Sequence, residues 1–199
     1  MRPISLICLA SLLLVPSALA DHATRVSDLQ RDPFAETFPS AGRIRADIRS
    51  GDIEFAGHDD NRITVRVDGS SDRLNEVALS YERAGDIAEL HMYGGPNNDV
   101  HITIEVPRLS NLQVRVPAGD VEIRGVTGDK DVDVHAGDLD IEVGNPSDYA
   151  HVSASVLSGD ISAGVFGEDH SGLFRSFTKK GNGRYNLRVH LLAGDITLH

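Results

Sequence analysis

The chain has no tryptophan, a single cysteine and only 5% aromatic residues among its 199 positions. Lysine is scarce, and 30 acidic side chains against 19 basic ones leave a formal charge of -11. Such a chain is repelled by phosphate backbones and anionic lipid, which excludes non-specific binding to nucleic acid or a charged membrane surface. One cysteine, Cys8, excludes a disulfide framework. Catalytic signatures are missing as well: there is no G-x-S-x-G elbow, no phosphate-binding P-loop and no H-E-x-x-H pair. What remains, 40% hydrophobic and 25% charged residues, is the composition of a globular protein.

Residues 1–20 read as a signal peptide. Arg2 supplies a short positive start, Ile4 to Val15 an apolar stretch, and Ala18-Leu19-Ala20 an A-x-A cleavage site before Asp21. Cleavage there removes Cys8, so the exported chain holds together by packing and backbone ladders alone. No later apolar run reaches the ~18 residues of a membrane span, so none is expected after cleavage. The expected location is periplasmic or secreted.

Residues 21–41 are polar, carry Pro33 and Pro39, and read as a linker or N-terminal arm. From Gly42 to the end the hydrophobic period is two. Ile44, Ala46 and Ile48 alternate with Arg43, Arg45, Asp47 and Arg49; Val100, Ile102, Ile104 and Val106 alternate with His101, Thr103 and Glu105. Ile63 to Val67, Leu112 to Val116, Leu139 to Val143 and Leu187 to Leu191 repeat the pattern. Alternation of this kind marks strands with one buried face. Only residues 71–79 carry a weak helical pattern.

A short motif recurs within these strands: small residue, Gly, Asp, aliphatic. It stands at Ser50-Gly51-Asp52-Ile53, Ala118-Gly119-Asp120-Val121, Ala136-Gly137-Asp138-Leu139, Ser158-Gly159-Asp160-Ile161 and Ala193-Gly194-Asp195-Ile196, with a degenerate copy at Thr127-Gly128-Asp129-Lys130. Glycine turns a corner that a side chain would resist, and the Asp carboxylate accepts from backbone N–H groups beside it. The glycines at 119, 128 and 137 stand nine residues apart, Gly137 to Gly159 spans 22 and Gly159 to Gly194 spans 35. A unit of 18 to 22 residues with two short strands and two turns suits one coil of a β-solenoid. The interval of 35 then holds one coil plus an insertion within Gly164 to Gly183. Ala84-Gly85-Asp86 sits instead between two strand patterns, as a hairpin turn does.

These spaced small-Gly-Asp-aliphatic repeats resemble the bacterial domain-of-unknown-function family whose members go by the name "putative adhesin". The resemblance runs from the Phe38-Pro39 to Phe55 segment through Asn111 to Ile141 and on to Gly183 to Leu198. It implies an all-β, solenoid-like fold for residues 42–199, and carries no catalytic residues over. Many relatives have a membrane tether; none is expected in this chain after cleavage.

The most unusual chemical feature is acidic. Asp120, Glu122, Asp138 and Asp140 alternate with aliphatic residues and so face outward. Coils of 18 residues set Asp120 beside Asp138 and Glu122 beside Asp140. Strands lie about 4.8 Å apart, and like charges at that distance repel by about 1 kcal/mol per pair in water. A bound Ca²⁺ would relieve this, which makes the four carboxylates a candidate cation face; the plainer reading is a solvated surface whose corner aspartates cap turns. No other cofactor is expected. The nine histidines are scattered, although His135 and His151 could meet within a sheet. Paired carboxylates also serve polysaccharide-cleaving enzymes, but sugar platforms are limited to Tyr81, Tyr93, Tyr149 and Tyr185. Between Gly164 and Gly183, Phe174 and Phe177 stand beside Arg175, Lys179 and Lys180, as interface anchors or as a cover for an open solenoid end. The reading with most support is an exported, non-enzymatic β-repeat protein that meets an envelope or extracellular protein or glycan. The alternatives are a polysaccharide-acting enzyme and a Ca²⁺-binding structural module.

Overall fold

The computed structural model describes residues 23–96 and 99–199, so the expected signal peptide lies outside the described residues. The alternating segments become eighteen strands arranged in two nine-stranded sheets. In chain order they are β1 Thr24–Ser27, β2 Phe34–Thr37, β3 Arg43–Ile48, β4 Asp52–His58, β5 Arg62–Gly69, β6 Ala78–Ala84, β7 Ile87–Tyr93, β8 Val100–Pro107 and β9 Asn111–Ala118. There follow β10 Val121–Arg124, β11 Lys130–Ala136, β12 Leu139–Ile141, β13 Tyr149–Ser158, β14 Ile161–Ala163, β15 Glu168–His170, β16 Leu173–Lys180, β17 Tyr185–Ala193 and β18 Ile196–Leu198. The weak helical pattern at 71–79 yields a single 3-10 turn, Leu74–Glu76.

Each solenoid rung is one strand in the first sheet, a corner, and one strand in the second. Six rungs pair in parallel: β3–β4, β7–β8, β9–β10, β11–β12, β13–β14 and β17–β18. Inward side chains stack in register from rung to rung. Ala46, Val114, Val132, Val189 and Ala154 form one such column, and Ile102, Ile53, Val121, Leu139, Ile196 and Ile161 another. Every one of these side chains is buried between the sheets. Full burial of a Val, Leu or Ile contributes about 1.5–3 kcal/mol, so the columns supply most of the stability of a chain without disulfides.

Stacking does not follow chain order. The β7–β8 rung lies outside β3–β4, and the last rung, β17–β18, slides between β11–β12 and β13–β14. Gly194 rather than Gly137 is therefore the neighbour of Gly159. Both ends are closed by antiparallel strands. At one end β5 pairs with β8 and β6 with β7, the latter two joined by the Gly85 hairpin; β15 and β16 pair with β14 and β13 at the other.

Of the segment 21–41, expected as a linker or N-terminal arm, the described residues 23–41 are docked on the sheets rather than free as a linker. β1 pairs with β6 and β2 with β5, and Leu29 and Phe38 are fully buried. The two strands are four residues each, too short for their alternation to register against the surrounding prolines and charges.

Candidate functional site

The repeated tripeptides form a single column. Gly51, Gly119, Gly137, Gly194 and Gly159 stack in that order, with φ between +127° and +139°. A Cβ on any of the last four would strike the carbonyl oxygen of the glycine one rung away, so the corner excludes side chains twice over, by dihedral and by space. The aspartates beside them make a ladder. Asp138 N–H donates to Asp120 Oδ1 at 2.7 Å, Asp195 N–H to Asp138 Oδ1 at 2.9 Å, and Asp160 N–H to Asp195 Oδ1 at 2.8 Å. The last carboxylate, Asp160, accepts from Gly172 N–H at 3.2 Å, on the way into the end cap. The degenerate copy marks the opposite corner. Asp129 N–H donates to Asn111 Oδ1 at 3.0 Å, and Asp129 Oδ1 accepts from Asn186 N–H at 2.7 Å. The nine-residue spacing of 119, 128 and 137 thus alternates between two corner lines.

The acidic face exists as the spacing suggests. Glu122 lies between Asp140 and Glu54 in register, and with Asp52, Asp120, Asp138 and Asp195 they line a shallow cavity of about 610 Å³. Its charges have partners. Arg124 bonds Glu122 and reaches Glu54 at 4.0 Å, His101 stands 3.7 Å from Glu54, and His199 Nε2 is 2.6 Å from Asp140 Oδ1. Among the described residues, no three metal-ligating side chains converge into a cage. His135 and His151 do not meet, because β17 runs between their strands.

The two phenylalanines separate. Phe177 is buried and packs 6.4 Å from Phe166, which stands 6.4 Å from Tyr149. This corrects Phe177 as a surface anchor: its position on β16 points into the core opposite Ala154, so it closes the end of the solenoid. Phe174 is 78% exposed and Leu173 62%. Phe174 also holds a left-handed φ of +54°, uncommon for a residue with a bulky side chain. Both sit on β16, the outermost strand of the first sheet.

One side chain was hidden in the pattern. Lys130 lies in a core column between Leu112 and Leu187 and is 1% exposed. Its Nζ donates to the Tyr149 hydroxyl at 2.8 Å and lies 5.4 Å from that ring's centre. Burial pulls the ammonium down to about 8, against the weaker pull of Asp129 and Glu142, and burial pushes the Tyr149 phenol up to about 12. The only sequence signal was a lysine at an inward position of the alternation. A second grouping, Ser155, His190 and Asp133 on neighbouring strands, resembles a catalytic triad. Ser155 Oγ is 2.9 Å from His190 Nδ1. However, Asp133 makes no ion pair with that ring among the described residues, and the surrounding backbone N–H groups are spent in the ladders.

Comparison with solved structures finds similar chains. The chain is similar to a "putative cell adhesion protein" from Clostridium sporogenes, with a TM-score of 0.53 and 12% identity over 83% of this chain and 97% of that one. It is also similar to a "putative adhesin" from Bacteroides fragilis, with a TM-score of 0.37 and 10% identity over 88% of this chain and 97% of that one. A search of curated proteins finds no match. A family model, Toastrack DUF4097, matches residues 25–199. With that match spanning all the described rungs and both caps, the chain belongs to the Toastrack DUF4097 family.

Proposed function

We propose that this chain is an exported, non-catalytic binding module that offers the outer edge of its β16 cap to an envelope or extracellular partner. The observation that carries the reading is Phe174, an aromatic ring held mostly in solvent, in a strained backbone conformation, on a strand with no neighbour along its outer edge among the described residues. Leu157, 40% exposed, occupies the register position beside it on β13, and Leu173 extends the apolar surface. Exposed aromatics at an open edge anchor partners through side-chain burial and strand addition. Export is supported by the signal-like residues 1–20. No helix among the described residues is long and apolar enough to cross a membrane.

The non-catalytic reading rests on the carboxylates of the acidic face, which serve backbone N–H groups, Arg124 and His199 rather than a closed reaction site. Weak Ca²⁺ association with Glu122 and Asp140 is a secondary proposal; a melting temperature that rises in millimolar Ca²⁺, and no longer does so in Asp140→Asn, supports it. The experiment for the main reading is a pull-down from envelope extract with wild type and Phe174→Ser. A partner retained by wild type and lost by the variant, with identical melting curves, supports the proposal. A partner retained equally by both contradicts it.

A further inference from the structure

The outer face of the first sheet carries a second feature, distant from the β16 edge. Between β7, β3, β9 and β11 lies a cavity of about 440 Å³, within the ~300–1,000 Å³ range of small-molecule sites. Register brings Tyr93, Arg49, Pro117 and His135 side by side across these four strands, and Asp47, Arg115 and Asp133 into the next row. Three observations there stand without an internal explanation. Arg49 and Arg115 make no ion pair or side-chain hydrogen bond among the described residues. Asp133 Oδ1 is shut off from water and lacks any hydrogen-bond partner. Tyr93 keeps 44% of its surface exposed at the rim of the cavity.

These groups have a common chemistry. Two guanidinium forks seek acceptors, the Asp133 carboxylate lines the cavity and offers an acceptor through the oxygen other than Oδ1, and the exposed Tyr93 ring offers a flat apolar platform. The charges alternate and cancel: Arg115 lies between Asp47 and Asp133, and Asp47 is already 3.3 Å from His91 Nδ1. A simple anion would meet two carboxylates, and a simple cation two arginines. A sugar ring carries hydroxyls that both donate and accept, and an apolar face that stacks on an aromatic ring. We propose that this cavity binds a sugar residue of an envelope or extracellular glycan, with Tyr93 stacking on the ring, Arg49 and Arg115 donating to its oxygens and Asp133 accepting from a hydroxyl. The proposal rests on the reading of the chain as an external binding module, but on different residues from the β16 edge.

Chitohexaose, maltohexaose and tri-galacturonate, titrated calorimetrically into the full chain, test the proposal. At least one should bind, and Tyr93→Ala and Arg115→Ala should each weaken it about tenfold or more, the size of a lost charge-assisted hydrogen bond. Arg115→Lys, which keeps the charge but not the fork, should weaken it too. Both residues are exposed, so melting curves of the variants should match wild type. Phe174→Ser should bind the sugar as wild type does, which separates this site from the edge. The proposal is overturned if none of the three sugars binds, if binding survives both alanine variants, or if oligo-glutamate binds more tightly through the same arginines.

Discussion

At the residue scale the fold depends on positions where no side chain fits. Gly137 has a φ of +134° and faces the Gly119 carbonyl oxygen. Gly137→Ala must therefore shift two rungs apart or distort the corner. It should cost at least about 2 kcal/mol, visible as a lowered urea midpoint with an unchanged slope. Lys130 acts in the opposite sense. Its folded value of about 8 lies below the ordinary 10.5, so the folded protein binds fewer protons than the unfolded chain between those limits. Stability then rises with pH from about 8 upward. Tyr149, raised from 10.0 to about 12, reverses the slope above pH 10 because the folded phenol keeps a proton the unfolded chain has lost. Lys130→Met should flatten the rising limb and raise stability at pH 7 by roughly 2 kcal/mol, since an apolar side chain suits the column between Leu112 and Leu187. Chemical denaturation at pH 7, 9 and 10 checks both effects.

At the element scale, the strands and the corners were legible because both depend on local chemistry. Period-two alternation from Ile44 onward and five Gly-Asp corners need no knowledge of the rest of the chain. The pairing of Glu122 with Asp140 followed from an 18-residue spacing. Other features were set by tertiary contact. β1 and β2 are four-residue strands that gain stability only from β6 and β5. The burial of Phe177 and exposure of Phe174, three residues apart, depend on which face of β16 meets β13. Phe177→Ser should therefore cost about 3 kcal/mol or more, a core loss, whereas Phe174→Ser leaves the thermal melt unchanged. Equal losses for both would mean that the edge serves only as a cap.

At the scale of the whole molecule, the permuted stacking is the feature that spacing could not supply. The inward columns of β13 and β17 are equally aliphatic, so composition gives no preference for either against β11. The choice lies in the caps. β13 and β14 already hold β16 and β15 on one side, which leaves their other side to receive the last rung. The acidic ladder follows the same order, Asp120 to Asp138 to Asp195 to Asp160, and gains one charge-assisted hydrogen bond per step. A stack closed at both ends by antiparallel strands also places all six rungs in one cooperative unit, and its long-range pairing makes folding slow.

Cysteine crosslinking in a Cys8→Ser background tests the stacked-corner account most directly. Thr197 and Asp140 are register partners on β18 and β12, whereas Ser162 on β14 pairs with Thr197. The account requires Thr197→Cys with Asp140→Cys to form a disulfide under mild oxidation and Ser162→Cys with Asp140→Cys to stay reduced. A disulfide in the second pair and none in the first would contradict it.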